Sequence, residues 1–513
     1  MKPVLHRLRI RPRAVACAIF LSLVAALLPA APAQAAISPT VVSLTFDDGN
    51  ADQLAAANTL KTYGLKGTFY INDEWVGAPG YLTRANLNTL AANGNEIGGH
   101  TVTHQDLVGM DPTEAKRQIC NDRAMLESWG FSPRSFAYPF ADADASVEAI
   151  AAACGYNTAR GLGDVRSPSS CSNCQVAENM PPADPFYLKA PDQVAANWTL
   201  AQLKALVTRA QNGGGGWVIL TFHHICAPVG TAACPADTSI TPTTYNAFVS
   251  WLATFSALPT NKTTVKTIDG TVRQYKGNAY PAYVPATTVP APAPAPVGVN
   301  ALSNTSLETL NPATGMPACY QAGGWGGNTA AWARTSPGAT GTYAETLTVT
   351  NYSSGDAKLL PTLDLGQCSP SVVAGKSYQM SVTAKSTAIT QFALYYRDAN
   401  YMWFYWTSSP WIAPLPDWTV TTFVTPPVPT GAVAVTFGLA LIQNGTLSTD
   451  DYSFVDPGTT TILAATAGSV VAKSTKTSAT SVTAASANTK TVTKALTRGQ
   501  QVVVAPIKKS TKG

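Results

Sequence analysis

Short apolar runs and helical periods alternate along the first half of the chain. The run Val41–Phe46 is largely apolar and β-prone, and it ends in Asp47-Asp48-Gly49, as a buried strand followed by a polar loop does. This alternation up to about residue 275 predicts an α/β fold with a parallel sheet. The predicted elements are strand Val41–Phe46, helix Gln53–Tyr63, strand Gly67–Ile71, helix Leu82–Asn93, strand Glu96–Gly99, helix Pro112–Trp129, strand Ser135–Tyr138, helix Ser146–Cys154, helix Leu200–Gln211, strand Trp217–Phe222, helix Phe248–Phe255 and strand Val265–Ile268.

The pattern changes after this region. Residues 281–298 are rich in Pro and Ala, which predicts a semi-rigid extended linker after a domain at 36–280. Over residues 299–457, short Thr/Val/Tyr runs alternate with Gly/Asn/Pro turns, the pattern of an antiparallel β-sandwich. Residues 458–513 contain no aromatic, Cys or acidic residue, and we expect a disordered basic tail there.

The N-terminus has the layout of a secretory signal peptide. Residues 1–35 begin with basic residues, continue through the apolar run Ala14–Leu28 and end in Ala33-Gln34-Ala35, a small-x-small cleavage site. A transmembrane anchor is the alternative, but the apolar run is short for a span. Since no later segment is long and apolar enough, we expect no membrane span in the mature chain and a secreted protein, extracellular or associated with the cell wall.

Charge is distributed unevenly along the chain. The formal net charge is +5, but five positive charges lie in the first thirteen residues and eight in the predicted tail, which leaves −8 for the region between. An acidic body is a poor nucleic-acid partner, so we expect no nucleic acid. Charged residues make up only 12% of the chain, about half the usual share, which suits an extracellular β-rich protein. We expect this protein to be a monomer.

The cysteine count is even once the signal peptide is removed. Nine cysteines are present and Cys17 lies in the predicted signal peptide. Eight cysteines in an exported protein favour disulfides. For Cys171-x-x-Cys174, the alternative to a disulfide is that the two cysteines form half of a zinc site. Nearness in sequence suggests the pairs Cys120–Cys154, Cys171–Cys174, Cys226–Cys234 and Cys319–Cys368.

Candidate chemistry lies at the ends of predicted strands. His100 and His104 are four residues apart, so a helical turn would place both imidazoles on one side. With Asp48 they make three protein ligands and leave a position for water, the layout of a catalytic zinc site. Asp47 would face that water as a base, because neighbouring side chains diverge. Taken alone, the His-x-x-x-His motif could be two surface histidines, and the Asp-Asp-Gly motif could be an ordinary turn.

These residues resemble a known family. Thr45-Phe46-Asp47-Asp48-Gly49 and His100-Thr101-Val102-Thr103-His104 are similar to the first two motifs of the carbohydrate esterase family 4 polysaccharide deacetylases, the NodB-homology domain. The resemblance covers about residues 40–275. It implies a distorted (β/α) barrel, a divalent metal that is usually Zn²⁺, and removal of acetyl groups from glycans. It also implies that Asp47 is the catalytic base and that Asp48, His100 and His104 bind the metal.

The third motif departs from the family. Ser135–Phe140 is similar to a segment in which the N–H of the aromatic residue after Pro, here Phe140, helps to hold the oxyanion. The Arg that orients the base in the family is replaced by Ala137. We expect Arg160, after the next predicted strand, to supply the guanidinium as part of the catalytic set; a surface arginine is the alternative.

The fifth motif of the family resembles Leu220-Thr221-Phe222-His223-His224-Ile225. Alignment on the strand end favours His223 as the general acid, and His224 is the alternative. The family's Asp-rich fourth motif has no clear counterpart.

Three functions remain open at this stage. The first is a deacetylase of N-acetylated polysaccharides or oligosaccharides, such as chitin or peptidoglycan. The second is an acetyl-xylan esterase with the same site, and the third is an inactive carbohydrate-binding protein. The run Tyr401–Trp406 is too dense in aromatics for every ring to point inward, because strand side chains alternate. The sandwich is therefore interpreted as a carbohydrate-binding module, with a structural module as the alternative.

Overall fold

The computed structural model describes residues 39–458, which form an α/β part followed by an all-β part. The predicted signal peptide and the predicted tail beyond Gly458 lie outside the described residues. Among residues 39–458, no helix is both long and apolar enough to cross a membrane.

Parallel strands and surrounding helices build the first part. Its strands are β1 Thr40–Phe46, β2 Thr68–Ile71, β3 Glu96–Gly99, β4 Ser135–Ala137, β5 Thr158–Asp164, β6 Leu188–Ala190, β7 Gly216–Phe222, β8 His224–Ile225, β9 Ser239–Ile240 and β10 Thr263–Val265. Its helices are α1 Gln53–Thr62, α2 Arg84–Ala92, α3 Pro112–Lys116, α4 Asp122–Ser128, α5 Ala145–Ala153, α6 Leu200–Asn212, α7 Pro242–Ala257 and α8 Ile268–Lys276, with a π-helical segment, Arg117–Asn121, between α3 and α4.

The parallel sheet curls into a distorted (β/α) barrel, which confirms the predicted fold class. Its order is β7-β1-β2-β3-β4-β5-β6, and β10 pairs with the first residues of β1. Within the described residues no strand pairing joins β6 to β7. A backbone bond from Val194 N to Thr221 O, 2.9 Å long, bridges that gap. The carboxyl ends of all these strands therefore meet on one rim, where catalytic residues of such folds collect.

The barrel core explains the largely apolar sequence of β1. All seven residues of β1 are buried, because helices cover one face of the sheet and side chains fill the other. Phe46 stacks on Phe69 of β2, with ring centroids 4.5 Å apart, and contacts Phe222 of β7 and Tyr245 of α7. This aromatic cluster fixes the end of β1 directly before Asp47 and Asp48.

Several element bounds differ from the sequence prediction. Helix α7 begins at Pro242, not Phe248, because Thr241 caps it and Pro suits the first helical position. The predicted strand Val265–Ile268 is wrong at its end: β10 stops at Val265, and Ile268 begins α8, capped by Thr267. The sequence prediction gave no bounds for β5, because glycines weaken its apolar pattern, and it missed β6.

The all-β part is a sandwich, as predicted. One sheet has the order β11-β14-β19-β16-β17 and the other β12-β13-β20-β15-β18, all antiparallel. Phe392, Phe437 and Phe454 lie in the core between the sheets. The strands are β11 Tyr320–Trp325, β12 Thr329–Thr335, β13 Ala344–Thr350, β14 Asp356–Pro361, β15 Gln379–Ser386, β16 Thr390–Asp398, β17 Trp403–Ser408, β18 Leu415–Val424, β19 Ala432–Leu441 and β20 Gly445–Val455.

The Pro/Ala-rich segment between the two parts contains no helix or strand from residue 281 to 296 and lies along the helical stretch 112–128. The side chain of Asn121 accepts from Val289 N (2.6 Å) and donates to Val289 O (3.0 Å). Arg117 Nε donates to Pro290 O at 2.9 Å, and both oxygens of Glu127 accept from Ala286 N. The segment is therefore bound to the barrel over much of its length.

We expect Leu44→Ala to lower the free energy of unfolding by about 2–5 kcal/mol, because it opens a cavity in a fully buried strand. The denaturant midpoint of the barrel measures this. Leu258→Ala is the control, since Leu258 is 51% exposed, and we expect it to change stability by less than about 0.5 kcal/mol. Equal losses in both variants would contradict the placement of β1 in the core.

Candidate active site

Three side chains from two loops of the barrel rim converge. Asp48 follows β1, and His100 and His104 follow β3. Asp48 Oδ1 lies 3.4 Å from Nε2 of His100 and 3.4 Å from Nε2 of His104. These three residues offer ligand atoms that all lie within 4.8 Å of one another. The geometry brings together the predicted ligand set.

The route to this convergence differs from the prediction. Residues 100–104 form a loop, not a helical turn, so the expectation of a helical turn was wrong. Thr101 has φ 69° and His104 φ 54°, and His104 N donates to Thr101 Oγ1 at 2.9 Å. Left-handed backbone is unfavourable for residues with a side chain and clusters at functional sites. Asp48, with φ 74°, belongs to the same group.

The protonation of the two histidines suits metal binding. His100 Nδ1 lies 2.7 Å from Ala137 O, which assigns the proton to Nδ1 and leaves the Nε2 lone pair towards Asp48. Burial lowers the pKa of His104 to about 4, although Asp48 acts in the opposite direction, so this imidazole is neutral at pH 7. Burial raises the pKa of Asp48, but His100, His104 and His223 outweigh it and hold that pKa well below its usual range.

The donor set fits a divalent ion. Two neutral imidazoles and one carboxylate are the ligands of many catalytic zinc sites, in which a fourth position stays open. Asp48 Oδ1 is buried and receives no hydrogen bond, so it keeps its lone pairs for an ion. A second cluster, Asp52, His224 and Cys226, fits less well, because Cys226 is in a disulfide and offers no thiolate.

Asp47 is paired with Arg160. Arg160 Nη2 donates to Asp47 Oδ2, and both side chains are buried. The prediction that Arg160 follows its strand was wrong: it lies within β5, in register with Ala137 of β4. Its guanidinium lies over the ring of Tyr70, 5.4 Å from the centroid. The guanidinium that the sequence lacks at Ala137 thus reaches Asp47 from the neighbouring strand.

The two adjacent histidines after β7 have different surroundings. His223 Nε2 lies 3.9 Å from Asp47 Oδ2, which places it beside the converging site. His224 belongs to β8, and its Nδ1 lies 2.9 Å from Asp52 Oδ2. The geometry therefore brings His223 to the site and ties His224 to Asp52.

Phe140 lies on the same rim, after β4. It has φ 57° within the short helical turn Pro139–Ala141. Its ring meets the His104 ring edge to face, with centroids 4.9 Å apart. This contact places the side chain of Phe140 next to a predicted ligand.

Three supporting residues were missed by sequence reasoning. Gln53 Nε2 donates to the carbonyls of Asp47 and His223, so it joins the loops after β1 and β7. Asn72 Nδ2 donates to Thr101 O at 3.1 Å, and the Trp75 ring stacks on His104 at 5.3 Å. The sequence gives one indication of these residues, which is their position shortly after a strand or after the Asp-Asp-Gly turn.

Gly99 lets buried polar groups approach the loop of the histidines. A Cβ at Gly99 would overlap the Tyr156 hydroxyl and the Asp122 carboxylate, which are hydrogen-bonded to each other at 3.0 Å. Asp122 in turn accepts from the backbone at His100 and Thr101. A glycine before His100 is therefore required for the support of that loop.

The four suggested disulfides all form: Cys120–Cys154, Cys171–Cys174, Cys226–Cys234 and Cys319–Cys368. The zinc alternative for Cys171 and Cys174 is therefore not supported.

The dense aromatic run of the sandwich does not present exposed rings. Trp403 and Trp406 are buried, and Tyr401, Phe404 and Tyr405 are half-buried. Trp406 packs between the sheets, whereas Trp403 belongs to a second cluster on the other face of its sheet. A carbohydrate-binding role for this run stays a prediction.

Comparison with known proteins agrees with this geometry. Residues 35–159 match the sequence model of the family described as polysaccharide deacetylase. This stretch of the chain is thus similar to polysaccharide deacetylases. The matched region contains Asp47, Asp48, His100, His104 and Phe140; it ends before Arg160 and His223.

Curated relatives match shorter stretches. A chitin deacetylase of Colletotrichum lindemuthianum is 27% identical over 124 residues, which are 23% of this chain and 49% of that protein. A gellan lyase of Bacillus sp is 30% identical over 169 residues, 32% of this chain and 6% of that protein. The chain spans less than half of the length of these relatives.

Among solved structures, the family 4 carbohydrate esterase from Streptomyces lividans in complex with acetate is similar at 17% identity, with a TM-score of 0.29. The similarity covers 45% of this chain and 93% of that one.

Proposed function

We propose that the chain is a secreted, metal-dependent deacetylase that hydrolyses acetamide groups of N-acetylglucosamine-containing glycans, chitin, chitooligosaccharides or peptidoglycan, to acetate and a free amine. The observation that carries the proposal is the convergence of Asp48, His100 and His104 beside an Asp47 held by Arg160. The deacetylase match and the chitin deacetylase relative support the substrate class. The four disulfides suit export, as the proposed signal peptide requires.

Asp48, His100 and His104 would hold a divalent ion, for which zinc suits the donors best. Bound there, the ion would polarise the acetyl carbonyl and lower the pKa of water. The protein side chains supply the remaining functions, and each has a place on the rim.

Asp47 acts as the general base in this proposal. Its Oδ2 is held by Arg160, and its Oδ1 is buried without a hydrogen-bond partner, so Oδ1 is able to accept the proton of the attacking water. The Arg160 contact also fixes the orientation of the carboxylate. This pairing supplies a guanidinium in place of the one missing at Ala137, which supports an active site over the inactive alternative.

In this proposal, His223 acts on the leaving amine and Phe140 acts on the carbonyl oxygen. An amine leaves poorly unless it is protonated, and His223 next to Asp47 is placed to give that proton. The N–H of Phe140 would stabilise the negative charge on the former carbonyl oxygen. Such a donor is worth on the order of 3 kcal/mol in a transition state.

We expect Asp48→Asn and His104→Ala to lose both zinc and acetate release, because each removes one of three ligands. Zinc per chain, measured by mass spectrometry after dialysis, tests this. His224→Ala is the control and should keep its zinc, since His224 pairs with Asp52. Full zinc in both ligand variants would contradict the assigned site.

Asp47→Asn should keep zinc and lose turnover by about 10²–10⁴-fold, because it removes the proposed general base and leaves all three metal ligands in place. Acetate release from chitin pentamer, peptidoglycan and acetylated xylan by the unmodified chain is measured alongside. Near-normal turnover in Asp47→Asn would exclude Asp47 as the base. Release from acetylated xylan alone would replace the proposed substrate with the acetyl-xylan alternative.

Arg160→Lys should reduce turnover at least tenfold with unchanged zinc, because an ammonium does not reproduce the orientation of the guanidinium over Tyr70. Arg209→Lys, at an exposed position of α6, serves as the matched control. Unchanged turnover would return Arg160 to a structural role.

A comparison of His223→Ala with His224→Ala separates the two candidates for the general acid. We expect the first to lose about 10²-fold or more in turnover on an acetamide and the second to lose little. Acetate release with equal zinc loading measures this, and the reverse order would assign the role to His224.

A further inference from the structure

A cleft of about 570 Å³ opens beside the converging site and has walls from both parts of the chain. His104, Gln105 and Phe140 lie on the barrel side, and Ala313 and Met316 on the sandwich side. Its volume is within the range of about 300–1,000 Å³ that is typical of small-ligand sites. Because His104 and Phe140 line it, the cleft is continuous with the proposed reaction centre.

A buried hydrogen bond joins the sandwich to the barrel at this cleft. Glu114 of α3 is fully buried; its Oε1 accepts from Leu365 N at 2.8 Å, and its Oε2 lies 3.0 Å from Arg117 Nη1. Arg397 of β16 is also buried and donates to the carbonyls of Asp364 and Leu365. The bond from Leu365 N to Glu114 thus joins the sandwich to the barrel, and Arg397 holds the Asp364–Leu365 segment from the sandwich side. A buried hydrogen bond to a charged group is strong, so this bond fixes the sandwich wall beside the barrel.

The sandwich wall is itself closed by local bonds. The disulfide Cys319–Cys368 joins its two segments, 310–321 and 362–368. Within the first segment, Asn311 N donates to Met316 O at 2.9 Å, and Gly315 N donates to Asn311 O at 2.8 Å. This turn presents Ala313 and Thr314 as exposed residues of the cleft.

We propose that this cleft binds the sugar unit next to the one whose acetyl group reacts, and that the sandwich thereby forms a subsite of the deacetylase. The inference rests on the proposed function and extends it to a subsite that the second domain completes. The lining combines thioether groups of Met110 and Met316 with amides of Gln105 and Asn311. Apolar surface with a few hydrogen-bonding groups matches a pyranose ring, whose faces are apolar and whose edge carries hydroxyls.

The test inserts a wedge into the sandwich wall and measures binding without turnover. In an Asp47→Asn background with zinc, Ala313→Trp should weaken the affinity for chitin pentamer at least fivefold, as measured by calorimetry. Thr314→Trp is a second wedge on the same turn. Ala413→Trp is the matched control, an exposed alanine on another loop of the sandwich, outside the cleft, and it should bind like the parent. Equal melting temperatures of the four chains exclude a folding defect.

The inference is overturned if both wedges bind the pentamer as tightly as the parent or more tightly, or if the parent binds no pentamer. Acetate release by the unmodified chain decides the proposed function separately. A chain that releases no acetate but loses pentamer affinity through the wedges would keep the subsite and reject the deacetylase.

Discussion

The close approach of Asp48 to His100 and His104 is the constraint on which the rest of the site depends. It brings a carboxylate and two imidazoles from separate loops to one point. The packing around these loops holds the three side chains there. The aromatic cluster of Phe46 fixes the end of β1. Gly99 admits the Asp122–Tyr156 pair beneath the histidine loop. Asp48, Thr101 and His104 have left-handed backbone conformations, which are unfavourable. The surrounding packing holds these residues in that conformation.

The rim of a parallel barrel explains how distant residues share one site. Asp47 follows β1, Arg160 lies in β5 and His223 follows β7, yet the curled sheet brings their side chains together. Register gives the clearest example, because Arg160 lies opposite Ala137 on the adjacent strand. A guanidinium that is moved from one strand to its neighbour still reaches the same carboxylate. The contact between Asp47 and a guanidinium is thus present although the local motif lacks its arginine.

Sequence patterns predicted the elements with strong periodicity and the residues with distinctive chemistry. The apolar run of β1, the helical period of α6 and the Asp-Asp and His-x-x-x-His motifs each pointed to the observed structure. The helical turn at His100–His104 was wrong, because left-handed conformations of single residues leave no periodic signal. The start of α7 was missed because it depends on the Thr241-Pro242 cap and not on hydrophobic spacing. The bound course of residues 281–296 and the cleft against the sandwich depend on tertiary contacts, such as Glu114 with Leu365, that no local pattern encodes.

The most direct test of the central claim is an anomalous difference map of the zinc-loaded protein, recorded at the zinc absorption edge. The account predicts one strong peak bonded to Asp48, His100 and His104, with ligand distances of about 2.0–2.2 Å. A peak placed elsewhere, for example between Asp52 and His224, or no peak at these three side chains, would contradict it.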